Sequence, residues 1–170
     1  MSKRHAEKAK ARAELRFRIE KCGDDELSFT EAFLLMLELH QKGGYAPLDP
    51  AEATGNFYRA LKCDATFIAR KDEGKGGEDP LIGILSLAEL QFWYSKETYF
   101  EGIGFYVKPE YRRGKVGIAL LRAAGEEADK RDKLCFVTIT DPDRRPKATR
   151  LSLEAQIAGW VPLGHRIRLR

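Results

Sequence analysis

The sequence predicts an α/β fold, an α+β sandwich with a mixed sheet of six to seven strands and helices on both faces. Three observations predict it. Short apolar runs and helical stripes follow one another in the order β-α-α-β-β-β-α-β-α-β. Three of those runs, in the middle of the chain, are separated only by turn residues and read as an antiparallel meander. The stretch 99–121, YFEGIGFYVKPEYRRGKVGIALL, reads as a strand, a basic turn and the start of a helix. An apolar run at 134–139 follows it, so the unit is a βαβ crossover with parallel strands.

Residues 17–21 alternate and form the first strand, broken by Gly23-Asp24-Asp25. Residues 28–40 form a helix. Ser28 with Glu31 gives a capping-box pattern, and Phe29, Phe33, Met36 and Leu37 give its buried stripe. A second helix spans 49–62 with Pro50 at its first position. Residues 65–70 form the second strand. The Gly-rich KDEGKGGEDP, 71–80, is a hairpin tip, and the third strand, 81–94, has a bend near Gly83 or Ala88.

In the next strand Phe100, Ile103, Phe105 and Val107 are the apolar strand-formers. Pro109 ends it, because it has no N–H to give a ladder. Val116, Leu120, Ala123 and Ala124 place a stripe on a helix that runs to about residue 131. Residues 134–139 are apolar on both faces, as in a central buried strand. A last helix, 146–158, and a terminal strand or pair complete the order.

A length of 170 residues with 43% hydrophobic content suits one domain with a full core. No apolar run approaches the roughly 20 residues of a membrane helix. The N-terminus lacks the apolar segment of a secretory signal. The three cysteines are odd in number and far apart, and the three histidines are scattered, which argues against structural zinc and a disulfide framework. Cys135 is expected as a buried strand thiol. A reducing, cytoplasmic compartment is the expectation, with no metal.

Charge is uneven. Residues 1–22 hold eight Lys/Arg against three Glu, and residues 144–170 hold seven against one. The body between carries net −7. Residues 1–16 read as a basic helical arm and 17–170 as the folded domain. Basic ends around an acidic body admit a nucleic-acid partner or a rim for phosphates.

A strand that feeds a basic, glycine-containing turn and then a helix builds an anion site. The first helical N–H groups have no internal partner, and the macrodipole adds partial positive charge. Arg112, Arg113, Gly114, Lys115, Val116, Gly117 and Ile118 form this turn and helix start. With the preceding Val-x-Pro and the helical Leu120-Leu121, the stretch resembles the GNAT superfamily of acyl-CoA-dependent N-acetyltransferases. Their pyrophosphate loop reads Arg/Gln-x-x-Gly-x-Gly/Ala after a strand ending in Val-x-Pro. Arg112 fits its first position and Gly117 its last, while Lys115 stands at the middle glycine. A lysine there costs energy if the loop requires positive φ.

The resemblance covers about residues 17–170 and implies a fold, a co-substrate and site residues. It implies acetyl-CoA, with the pantetheine arm along Phe105, Tyr106 and Val107, and a backbone N–H near Tyr106 polarising the thioester carbonyl. It implies a primary amine acceptor, on a small molecule or a protein, and Glu101 as the base, with Glu89 in reserve. The family's usual thiolate acid, a Tyr in the last helix, falls on Ala155. Ser152, Tyr106 or water remain as the acid. The other reading is an inactive module of the same fold that binds nucleic acid or a protein through its basic ends. The oligomeric expectation is a monomer or homodimer.

Overall fold

The computed structural model describes residues 15–43, 47–73, 79–112, 115–139 and 159–161. The basic arm up to residue 14, the last helix and the terminal strand expected from the sequence, and with them Ser152 and Ala155, lie outside the described residues.

The described elements are β1 (Phe17–Lys21), α1 (Glu26–Gly43), α2 (Pro50–Lys62), β2 (Thr66–Lys71), β3 (Leu81–Gln91), β4 (Thr98–Val107), a 3-10 turn (Pro109–Tyr111), α3 (Val116–Lys130) and β5 (Cys135–Phe136). Five strands form one mixed sheet in the order β1-β2-β3-β4-β5. The first four are antiparallel to their neighbours, and β5 runs parallel to β4. The meander and the parallel crossover are as the sequence predicts.

The sheet is buried on both faces. Along β2, Phe67 and Ala69 join the core under α3, whereas Ile68 joins the core under α1 and α2. This is the two-residue alternation of a strand with both faces covered. On one side α3 contributes Val116, Leu120, Leu121, Ala124 and Ala128. On the other, Ala32 and Leu35 of α1 and Phe57 and Leu61 of α2 pack over Ile84 and Tyr106.

Two helix starts follow from acid caps. Asp49 precedes Pro50 and accepts from the amides of Ala51 at 2.9 Å and Glu52 at 3.1 Å. In α1 the cap is Asp25 rather than the expected Ser28. The Ser28 amide donates to Asp25 Oδ1 at 3.0 Å, so the helix begins earlier than the capping-box pattern suggests. Glu31, the other half of that pattern, instead pairs with Arg70 of β2 at 2.6 Å.

The end of α3 is tied to the sheet by a charge cluster. Lys21 reaches Asp64 at 2.6 Å and Glu127 at 3.2 Å, while Arg131 pairs with Glu127 and donates to the Cys63 carbonyl at 2.8 Å. Burial alone favours protonated Glu127, but Arg131 and Lys21 outweigh it and hold the carboxyl below its ordinary 4.5. A depressed carboxyl contributes stability that is present above its unfolded pKa and is lost as pH falls through the folded one. We therefore expect Glu127→Gln to destabilise by about 1–3 kcal/mol near neutral pH and to lose less than the native chain below pH about 4.5. Denaturant titrations at a series of pH values measure this. An acid branch identical in slope to the native one would contradict it.

Candidate active site

The site is built where β4 and β5 part. Phe100 pairs with Cys135 and Glu101 with Phe136, and the Phe100 amide donates to the Leu134 carbonyl at 2.8 Å. Beyond Glu101 no described residue pairs with β4 on that side. The sequence suggests a long central strand at 134–139, but β5 is two residues long and only half-buried. The run forms a strand, as its apolar composition predicts, but the strand leaves the ladder early. Gly102 stands at the fork. A Cβ there would lie 3.4 Å from the Phe136 carbonyl oxygen and from Val137. Parted parallel strands leave backbone N–H and C=O groups facing the wedge, where amide groups of an extended ligand can pair with them.

One extra residue in β4 shapes the fork. Ser86 pairs with Gly104 and Leu87 with Gly102, so Ile103 is the bulge residue. A bulge bends its strand and raises local twist, which turns β4 away from a straight course beside β5. Gly104 lies on the α1 side, where a Cβ would collide with the end of Met36.

Behind the fork, β4 runs through the 3-10 turn into α3. Lys115 is its N-cap residue, no side chain caps it, and its first turn carries no acidic residue among the described residues. The first helical bond is from the Ala119 amide to the Lys115 carbonyl at 3.0 Å, so the amides of Val116, Gly117 and Ile118 face the helix N-terminus. The Val116 and Ile118 side chains are buried in the core and anchor this turn, so what they offer an anion is backbone. Arg112 sits beside it. Its Nε donates to the Val107 carbonyl at 2.9 Å and its guanidinium lies 5.3 Å from the Tyr106 ring centroid. Arg113 and Gly114 lie outside the described residues.

Lys115 has φ −84°. This is ordinary right-handed backbone, so the lysine incurs no left-handed penalty at the position where the pyrophosphate loop has its middle glycine. We expect Lys115→Gly to leave acetyl-CoA affinity unimproved and to weaken it several-fold through lost charge and added backbone freedom. A titration that shows tighter binding would contradict this.

The other sequence-derived site residues divide between the two faces of β4. Phe105 packs toward the α3 core and Val107 is buried in it, whereas Tyr106 is buried under α1. The Tyr106 hydroxyl donates to Glu38 Oε1 at 2.6 Å. Glu38 was not legible as a site residue, because nothing local in the α1 sequence distinguishes it from a solvated helix glutamate. Glu38, Tyr106 and Arg112 thus form a strut from α1 to the turn before α3. The Tyr106 hydroxyl proton is directed at a carboxylate, which disfavours it as a donor to a leaving thiolate.

Glu101 is half-buried and lies opposite Ala88 on β3. Cys135 is half-buried too, and its thiol is pushed up to about 12, first by burial and then by the charge of Glu101. Glu89 lies opposite Phe100, on the other face of the sheet from Glu101. It accepts from Lys133 at 2.8 Å and from Thr98 Oγ1 at 2.7 Å, and these contacts hold its carboxyl below the ordinary range. The geometry therefore makes Glu89 an ion-pair residue and separates it from the fork.

A depression of about 370 Å³ lies between β1 and α3, lined by Ile19, Lys21, Arg122 and Glu126 among others. It lies toward the opposite edge of the sheet from the fork. Among the described residues no group of three His, Cys, Asp or Glu is placed to hold a metal, and no helix is long and apolar enough to cross a membrane.

Comparisons with known proteins agree with this geometry. A comparison with curated proteins found no match. Among solved structures, a predicted acetyltransferase from Clostridium acetobutylicum with acetyl-CoA is similar at 13% identity and TM-score 0.62, covering 92% of this chain and 96% of that one. An aminoglycoside acetyltransferase from an uncultured soil metagenomic sample, in complex with sisomicin, is similar at 15% identity and TM-score 0.57, covering 91% and 93%. A ribosomal-protein-alanine N-acetyltransferase from Brucella melitensis biovar Abortus 2308 is similar at 12% identity and TM-score 0.52, covering 92% and 99%. These likenesses carry the fold. The model of the acetyltransferase (GNAT) family matches residues 32–152, which is most of the chain and includes β4, the fork and α3. The chain belongs to the GNAT family of acetyltransferases, whose members use acetyl-CoA.

Proposed function

We propose that the protein transfers the acetyl group of acetyl-CoA directly to a primary amine. The observation that carries this reading is the fork between β4 and β5, which opens one residue past Glu101 and leads to the N-terminus of α3, where no capping side chain is found among the described residues. The residues fit the co-substrate. The pyrophosphate settles on the amides of residues 116–118 beside Arg112. The pantetheine amides pair with the β4 edge along Phe105, Tyr106 and Val107. The Tyr106 N–H polarises the thioester carbonyl.

Glu101 takes a proton from the ammonium, directly or through one water, and frees its lone pair. The amine nitrogen then forms a bond to the carbonyl carbon, the carbon–sulfur bond breaks, and the thiolate leaves. The Tyr106 hydroxyl already donates its hydrogen bond to Glu38, so the second proton, shed by the nitrogen as the acetamide forms, passes through water at the fork to the thiolate. The products are an acetamide and coenzyme A with its free thiol. Residues 17–170 form the catalytic domain in this reading, and the basic arm is outside it.

A second reading is an inactive module of the same fold, favoured by Ala155 at the place of the family's usual Tyr. Incubation of the purified protein with acetyl-CoA and a panel of primary amines, followed by free-thiol release, separates the two. Amine-dependent thiol release is the expected result. Coenzyme binding without release on any amine favours the inactive module, and no coenzyme binding at high micromolar concentration overturns both.

A further inference from the structure

The face of the sheet that carries Glu101 also carries a line of aromatic rings. Tyr94 stacks on Phe92 with centroids 5.4 Å apart, and Phe92 stacks on Tyr99 at 4.5 Å. Tyr99 meets Phe136 edge-on at 5.4 Å, and Trp93 meets Tyr94 edge-on at 5.4 Å. The line therefore runs from the solvent-exposed β3–β4 turn to Phe136, the strand partner of Glu101. Tyr99 is two residues before Glu101 on the same strand and so faces the same side. The helix α1 covers this face farther along β4, at Gly104 and Tyr106. At the turn the face is open, with Trp93 94% and Tyr94 68% exposed.

Single exposed apolar residues need no explanation, but a contiguous group of rings marks an interaction site. Here the neighbouring chemistry says what occupies it. The acyl carbon arrives at the fork, and an attacking nitrogen must lie about 3 Å from it and within hydrogen-bond reach of Glu101. Whatever the nitrogen is attached to must then extend over the adjacent surface. Ala88, opposite Glu101, leaves lateral room there. The surface offers ring faces, which stack flat rings and attract an ammonium group. At Phe100 and Glu101 β5 already takes the ladder of β4, so an extended peptide has no place in that stretch of the β4 edge.

Resting on the acetyltransferase reading, we propose that the acceptor is a small primary amine carried on an aromatic ring through a short linker, seated along Phe92, Tyr99 and Phe136 with its ammonium at Glu101. Calorimetry on the full chain with 2-phenylethylamine and with 1,4-diaminobutane tests this, together with acetyl transfer to both. The aromatic amine is expected to bind at least tenfold more tightly and to be acetylated with at least tenfold higher kcat/KM. Tyr99→Leu, which keeps an apolar strand residue, should remove most of that preference through KM, and Tyr99→Phe should restore it. Tyr94→Ser, at an exposed position, should lower the preference several-fold without moving the melting temperature or acetyl-CoA affinity. Equal affinities for the two amines, or a preference unchanged in Tyr99→Leu and Tyr94→Ser, overturns the proposal. So does a concentration-dependent dimer that buries Trp93 and excludes the amine, since the rings would then be an interface. Amine binding is read without acetyl-CoA. If the coenzyme fails to bind while phenylethylamine does, the acetyltransferase reading falls and the ring site stands. Turnover that prefers diaminobutane gives the reverse.

Discussion

Replacing Glu101 by Gln is expected to lower turnover by about 10²–10⁴-fold, the usual contribution of a general base. The amide is nearly isosteric, so the pairing of Glu101 with Phe136 and the fork beyond it should persist. Acetyl-CoA affinity and the melting transition are therefore expected to stay near native values. The acid limb of the pH–rate profile should disappear, because that limb reports protonation of the base. Steady-state rates over a pH series on the first amine found to turn over provide the measurement. Native turnover with an unchanged acid limb would remove Glu101 from the mechanism. Glu89 is a poor replacement, since Lys133 and Thr98 hold it on the opposite face of the sheet. The amine would then have to arrive already neutral.

The next largest effect is expected at Arg112, in the turn before α3, which has two partners on β4. Its Nε donates to Val107 and its guanidinium covers Tyr106. In the proposed site its remaining donors bind the pyrophosphate that rests on α3. A hydrogen bond to a charged group contributes about 1.5–3 kcal/mol, so Arg112→Ala should weaken acetyl-CoA by about 10–100-fold. Arg112→Lys should fall between, because an ammonium keeps the charge but not the planar fork of donors. The loss should shrink as salt is raised. Calorimetric titration with acetyl-CoA at two ionic strengths measures it. An affinity unchanged in Arg112→Ala would place the phosphates elsewhere.

Much of the fold was legible because local chemistry and tertiary structure agree. Asp49-Pro50 reads as a helix start and is one. The two runs at 65–70 and 81–94 read as strands of a meander and pair antiparallel as β2 and β3. The order of elements around β4 and α3 gave the family resemblance. What was not legible depends on contacts between distant segments. Asp25 and Ser28 are both acceptable caps; in the fold Asp25 takes the cap and Glu31 pairs with Arg70, a contact between distant segments. The apolar run 134–139 carries no mark of the place where it leaves β4, since parting is set by the bulge at Ile103 and the packing around Gly102. Lys115 looked costly from the family pattern alone, but its backbone angle shows otherwise. The bond between Tyr106 and Glu38 joins residues 68 positions apart. No spacing rule points to it.

The central claim is that acetyl-CoA lies in the fork between β4 and β5 with its phosphates on α3. Amide hydrogen exchange of the full chain, with and without saturating acetyl-CoA, tests it most directly. We expect new protection in residues 103–107 and 116–118, with little change in β1 or at the Lys21–Glu127 cluster. Protection confined to the depression between β1 and α3, or no protection in either predicted segment at a coenzyme concentration that saturates binding, would contradict it.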